Sequence, residues 1–153
     1  MASIRKEIRI DARPDEVWAA IRDVGAVHQR LAPGFVTDTR MDGDAARVVT
    51  FANGLVVREL IVDVDDRARR LAYTAVGGRS THHNASFQVF DDGQVFDDGQ
   101  VFDDGQVLAD GARTRLVWIA DVLPHEVAGP IEEMMEQGAR AMQRTLGAVG
   151  VRG

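Results

Sequence analysis

The chain contains no cysteine, which excludes disulfides, thiolate nucleophiles and cysteine-based zinc sites. Lysine is almost missing too: of 18 basic residues only Lys6 is a lysine, and the other 17 are arginines, a bias of codon usage rather than of chemistry. No apolar run is long enough to span a bilayer, and the opening Met-Ala-Ser-Ile-Arg-Lys-Glu is not a signal peptide. A cytoplasmic protein without membrane insertion is therefore expected. No basic face of the kind that binds nucleic acid is present. There is no Gly-rich phosphate loop, since Gly77-Gly78 reads only as a turn signal, and no Ser-His-Asp arrangement follows from the spacing. His82 and His83 are adjacent, so on a strand they point to opposite faces and cannot clasp one metal ion. With His28 and His125 far away in sequence, no metal site and no cofactor is expected.

What is present starts with a repeat. The hexapeptide Gln-Val-Phe-Asp-Asp-Gly occurs three times in succession, at 88–93, 94–99 and 100–105, and a worn copy follows at 106–111. Excising 90–107 joins Val89 to Leu108 and leaves a strand, an Asp-Gly turn and a strand, an ordinary β-hairpin. The repeat thus reads as an insert in one hairpin of a single domain spanning 1–153. Its six aspartates account for the net charge of −6, leaving the remainder close to neutral. A period of six is even, so each copy preserves strand parity, with valines on one face and Phe90, Phe96 and Phe102 on the other. An isolated ribbon is marginal, so the 88–111 hairpin is expected to bury these rows in a homo-oligomer. The aspartates lack the ligand pattern of a calcium loop.

The remaining 135 residues carry the fold. Residues 3–11 alternate as a strand. Pro14, Asp15 and Glu16 suit the first turn of a helix whose apolar side is Val17, Trp18, Ile21 and Val24. A second short helix through Val27, His28 and Leu31 stops at Pro33-Gly34. Strands follow at 35–41, 45–52, 54–64, 70–77, 80–90 and 112–123, separated by turn signals such as Asp42-Gly43-Asp44 and Asn53-Gly54. From about 126 to 149 a stripe of Val127, Ile131, Met134, Met135, Gly138, Met142, Leu146 and Val149 marks a long helix. An antiparallel sheet with a helix stripe as its partner is a two-layer α+β domain. A strongly curved sheet closed by one helix leaves volume that side chains do not easily fill. Gly138, Ala141 and the flexible methionines fit either an adaptable apolar cavity or a plugged core.

Three stretches resemble the SRPBCC superfamily, the START-like helix-grip fold, and within it the polyketide cyclase/dehydrase and lipid-transport branch. They are Ile10 to Trp18 with Ile21-Arg22-Asp23; Arg58-Glu59-Leu60 through Asp65-Asp66 to Arg70-Leu71-Ala72-Tyr73; and Leu116-Val117-Trp118 with Pro124 and the long helix. The resemblance implies about seven strands wrapped on the C-terminal helix, and a deep cavity for a small hydrophobic molecule such as a lipid, polyketide or hormone. Some relatives, including plant hormone receptors and a sulfenic-acid-rearranging synthase, carry a cavity glutamate at a place resembling Glu59, beside loops resembling 51–55 and 77–84. The implied lining is Val57, Glu59 and Ile61 on one strand, His82, His83, Ala85 and Phe87 on another, Trp118, and Met134, Met135, Gly138 and Met142 on the helix. Ala85 stands where hormone receptors have a pocket aromatic, so a receptor-like ligand set is not implied.

Alternation places Val57, Glu59, Ile61 and Asp63 on one face and Val56, Arg58, Leu60, Val62 and Val64 on the other. Hydrophobicity favours the second set as the buried one, and the resemblance favours the first. If Glu59 faces inward, burial raises its pKa and makes it a proton donor or acceptor, with His83 as an acid/base partner. Three functions stay open: a binder of a small hydrophobic molecule, a cyclase/dehydratase using Glu59 and His83, and an interaction protein acting through the repeat.

Overall fold

Alternation and turn chemistry set the strands, and the computed structural model, which describes residues 2–92 and 113–147, gives their order. Seven strands run β1 Ala2–Ile10, β2 Val36–Met41, β3 Ala46–Phe51, β4 Val56–Asp65, β5 Arg70–Val76, β6 His82–Asp91 and β7 Thr114–Leu123. They form one sheet in the order β1-β7-β6-β5-β4-β3-β2, with each neighbouring pair antiparallel. Between β1 and β2 lie helix α1, Pro14–Arg22, and a π-helical turn at Val27–Leu31. Pro14 occupies the first turn of α1, with Asp15 and Glu16 at its positive end, where a missing N–H costs nothing and acids are favoured. Helix α2, Ala128–Met142, follows β7 and continues as a π-helical turn at Gln143–Gly147.

The turns form where short polar residues and glycines predict them. At Asn53-Gly54 the Phe51 amide donates to the Leu55 carbonyl at 2.8 Å, the Asn53 side chain accepts from the Leu55 amide at 3.0 Å, and Gly54 takes φ of 93°. At the β4–β5 turn, Asp65 accepts from the amides of Arg67 and Ala68, each at 3.0 Å. Helix α1 is tied to this turn, because Asp66 accepts from Trp18 Nε1 at 2.9 Å and from Arg22 Nε at 2.7 Å.

The core lies between the inner face of the sheet and the helices. It includes Ile8, Ile10, Val17, Ile21, Leu71, Phe87, Leu116 and Val122 from the first part of the chain and the sheet, and Met135, Ala141, Met142 and Leu146 from the C-terminal helix. This is a helix-grip α+β architecture. No helix among the described residues is long and apolar enough to cross a membrane.

The facing of β4 is settled by a bulge. Ile61 pairs with Tyr73 but Asp63 pairs with Ala72, so Val62 is an extra residue. Before the bulge the inward residues are Glu59 and, partly buried, Val57 and Ile61, whereas Val56 is 58% and Val62 64% exposed. After it the parity reverses: Val64 packs against the core and Asp63 is exposed. The hydrophobicity-based assignment of Val56, Arg58, Leu60, Val62 and Val64 to the inside is therefore wrong for all but Val64. A bulged strand changes face midway, and no single alternation describes it.

The first hexapeptide copy begins as part of β6. Val89 is buried, Phe90 stacks under the Arg115 guanidinium at 4.5 Å, and Asp92 pairs with Arg9 at 2.9 Å. The later copies, with Phe96 and Phe102, lie outside the described residues, as does Val149. The last ladder hydrogen bond among the described residues runs from the Asp92 amide to the Arg113 carbonyl. Excision of 90–107 would move Leu108 into the place of Phe90 and Asp110 into that of Asp92; the register of Asp91 with Thr114 then shifts the expected Asp-Gly turn by one residue, to Gly111-Ala112, a glycine-first pair of the kind two-residue hairpins favour. The shortened protein is expected to fold with an unchanged or slightly raised melting temperature, because shortening a loop reduces its closure entropy by about 0.6 kcal/mol per halving. Thermal melts monitored by circular dichroism check this, and failure to fold would show that the repeat is structural.

A cavity with one buried ion pair

Between the sheet and α2 lies a cavity of about 340 Å³, within the size range of small-molecule sites. Its walls are mostly apolar. Val49 and Phe51 come from β3, Val57 from β4, Phe87 from β6, Trp118 from β7, and Ile131, Met134, Met135 and Met142 from α2. The mouth is framed by Leu55 and by Gly77, Gly78 and Arg79, all exposed, with Phe35 and Ser80 beside them.

The polar groups are few and specific. Arg47 and Glu59 sit opposite each other on β3 and β4, and Arg47 Nε donates to Glu59 Oε1 at 2.8 Å with side-chain exposures of 4% and 10%. Arg47 Nη1 also donates to the Val24 carbonyl at 3.2 Å, and its guanidinium carbon lies 5.2 Å from the centre of the Tyr73 ring. Nη2 of Arg47 and Oε2 of Glu59 make no hydrogen bond among the described residues. The pair therefore keeps a donor and an acceptor in reserve on the cavity wall.

Behind it runs an aromatic stack. Tyr73 and Phe87 lie 6.0 Å apart and Phe87 and Trp118 4.8 Å apart, each at 22°. Trp118 Nε1 donates to Tyr73 Oη at 3.1 Å. Burial, reinforced by the Glu59 charge, pushes the Tyr73 phenol well above its ordinary range, so it stays protonated and its O–H remains a donor.

The residues expected in the lining divide. Val57, Glu59, His83, Phe87, Trp118, Met134, Met135 and Met142 line the cavity. Ile61, Ala85 and His82 do not. Ile61 is partly buried against the core and Ala85 is buried within it, and neither is in the cavity lining. His82 is exposed on the outer face, as its one-residue offset from His83 requires. Gly138 also lies outside the lining and instead seats the Trp118 ring, since a Cβ there would stand 3.2 Å from it. The expected Glu59–His83 couple is not formed: the hydrogen bond of Glu59 goes to Arg47. Arg47 and Tyr73 were not anticipated. The available signal was an arginine on the same strand face as Val49 and Phe51, across from a glutamate that shares its isolation. Among the described residues no cluster of His, Asp and Glu could hold a metal ion.

Desolvation, followed by repulsion from His82, lowers the His83 pKa below its usual value of 6.5. A base whose folded pKa is depressed takes up fewer protons folded than unfolded as the pH falls through that usual value. Its contribution to stability is complete above it and lost below, down to the folded pKa. Stability should therefore fall between pH 7 and pH 5, and His83→Gln should flatten that part of the profile. Urea midpoints across this range check it; an unchanged slope in the variant would remove His83 as the cause.

A seven-stranded antiparallel sheet packed on a C-terminal helix, with a cavity between them, is the helix-grip architecture. Residues 1–150 match the family model described as polyketide cyclase / dehydrase and lipid transport, and the chain belongs to that family, of SRPBCC type. A search of curated proteins finds no match. Among solved structures, one from Thermobifida fusca is 24% identical with a TM-score of 0.70, covering 99% of this chain and 95% of that one. The di-domain ARO/CYC BexL of the BE-7585A biosynthetic pathway is 12% identical with a TM-score of 0.72, covering 95% of this chain and 46% of BexL. Norcoclaurine synthase of Thalictrum flavum, solved as a point mutant with a transition-state analogue, is 17% identical with a TM-score of 0.62, covering 99% and 94%. At these identities the likeness is one of fold.

Proposed function

We propose that the protein binds a small, largely apolar molecule that carries at least one hydrogen-bonding oxygen. Family membership supports a ligand-binding or cyclase role. This reading rests on one observation: a buried ion pair on the wall of a mostly apolar cavity, with Arg47 Nη2 and Glu59 Oε2 making no hydrogen bond among the described residues. A ligand hydroxyl or carbonyl that meets them gains a charge-assisted hydrogen bond and a fixed orientation. Native mass spectrometry of the purified protein tests this. A co-purified small molecule lost on denaturation supports it. A bare protein that also fails to take up neutral apolar probes overturns it.

A cyclase-type enzyme is the second reading, favoured by Tyr73 and Arg47 lining the same cavity, the guanidinium over the Tyr73 ring. Their donors could hold the oxygen of an enolate formed next to a carbonyl, with His83 or Glu59 receiving the proton. Here the cavity would hold a flexible substrate folded for ring closure. Conversion of a polyketone surrogate, abolished by Tyr73→Phe without loss of binding, would favour the enzyme over the binder.

A further inference from the structure

The charges lining the cavity are distributed unequally along its depth. Among the described residues Glu59 is the one carboxylate in the lining, and two guanidinium groups, of Arg47 and Arg79, accompany it. Arg47 is deep and already neutralised by Glu59. Arg79 is exposed at the mouth and makes no ion pair or hydrogen bond among the described residues. Its position is built: Gly77 and Gly78 take φ of 97° and 74°, a left-handed pair that only glycine adopts freely. The following Thr81 amide is fixed to the Leu123 carbonyl at 2.8 Å. The result, among the described residues, is a mostly apolar chamber with an uncompensated positive charge at its entrance.

We infer that the natural ligand is an amphipathic monoanion, a carboxylic acid with an apolar body, bound with the body inward and the carboxylate at Arg79. This rests on the cavity reading above and specifies its ligand class. The deep alternative is unfavourable. A carboxylate carried to Arg47 would lose its hydration in an apolar chamber and face the like charge of Glu59 across a guanidinium already paired. At the mouth it stays partly hydrated, gains Arg79, and reaches the Ser80 hydroxyl beside it. The buried pair then serves a neutral oxygen further along the ligand.

The test compares dodecanoate with dodecan-1-ol as competitors of Nile red in the wild type, Arg79→Gln and Arg79→Glu, at low and high salt. The acid should bind the wild type more tightly than the alcohol by roughly two- to fivefold, the range of one partly exposed ion pair. Arg79→Gln should remove that preference, Arg79→Glu should reverse it, and high salt should weaken the acid only. Circular dichroism confirms that the variants fold. Equal binding of acid and alcohol by the wild type, or an acid preference that survives Arg79→Gln, overturns the inference while leaving the cavity reading intact. If neither compound displaces the dye, the cavity reading fails and the inference falls with it.

Discussion

Glu59→Gln should destabilise the protein by about 3–5 kcal/mol, because removing one member of a buried ion pair leaves the other charge uncompensated in an apolar setting. Arg47 is held within β3 with 4% of its side chain exposed and cannot swing out to water without unpacking Tyr73 and the Val24 contact. For a domain of this size the loss corresponds to a fall of about 10 °C or more in melting temperature. The paired replacement Arg47→Met with Glu59→Leu should recover most of that loss, since well-packed apolar residues of similar volume are often as stable as the pair they replace. The recovery separates stability from function. The double variant should fold and still admit apolar probes, but it should no longer distinguish a ligand with a deep oxygen from its hydrocarbon analogue. Urea unfolding of Arg47→Met, Glu59→Leu and the double variant gives the coupling energy directly. A single-variant cost below about 1 kcal/mol would mean that the cavity solvates the pair, and its orienting role would go with it.

The ease with which the fold could be read contrasts with the difficulty of this pair, for a physical reason. Strand and helix boundaries depend on local chemistry: a glycine or aspartate where the chain turns, and a stripe of apolar residues at helical spacing. The Asn53-Gly54 and Asp65-Asp66 turns and the α2 stripe from Val127 to Leu146 were legible for that reason. Which face of β4 looks inward depends on Val62, an extra residue in a ladder with β5 that nothing local announces. The inner face also holds charges while the outer face carries Val56, Val62 and Val76 uncovered, so hydrophobicity pointed the wrong way. Glu59 was picked out through family resemblance, whereas Arg47 needed the register of β3 against β4. Gly138 reads from its stripe as cavity lining, whereas the Phe35 and Trp118 rings that occupy the place of its missing side chain are set by tertiary packing.

Those rings make Gly138 the position where one added carbon should change the cavity most. In the interior of a helix, glycine is less favourable than alanine by about 1 kcal/mol, so Gly138→Ala would stabilise α2 if space allowed. Space does not allow it: the new Cβ would lie 2.9 Å from Phe35 Cε2 and 3.2 Å from Cη2 and Cζ3 of Trp118. Phe35, half-buried and packed edge-on against Phe51 at 5.3 Å, can give way towards the mouth. Trp118 cannot retreat outward, because it belongs to the sheet; its indole must tilt into the cavity, loosening the 4.8 Å stack on Phe87 and the hydrogen bond to Tyr73. Overpacking of this kind costs about 1–3 kcal/mol, which cancels the helix gain for alanine and exceeds it for valine. The larger effect should be on binding. Gly138→Val should weaken bulky ligands by roughly tenfold or more, given about 1.4 kcal/mol per factor of ten, and slender chains much less. Trp118→Phe in the same chain should restore the space and the affinity. In a Trp18→Phe background the remaining Trp118 reports its own environment, and its emission should change with Gly138→Val and respond to ligand. Unchanged affinity across ligand sizes, together with unchanged emission, would mean that α2 moves away instead and that Gly138 does not set the cavity's width.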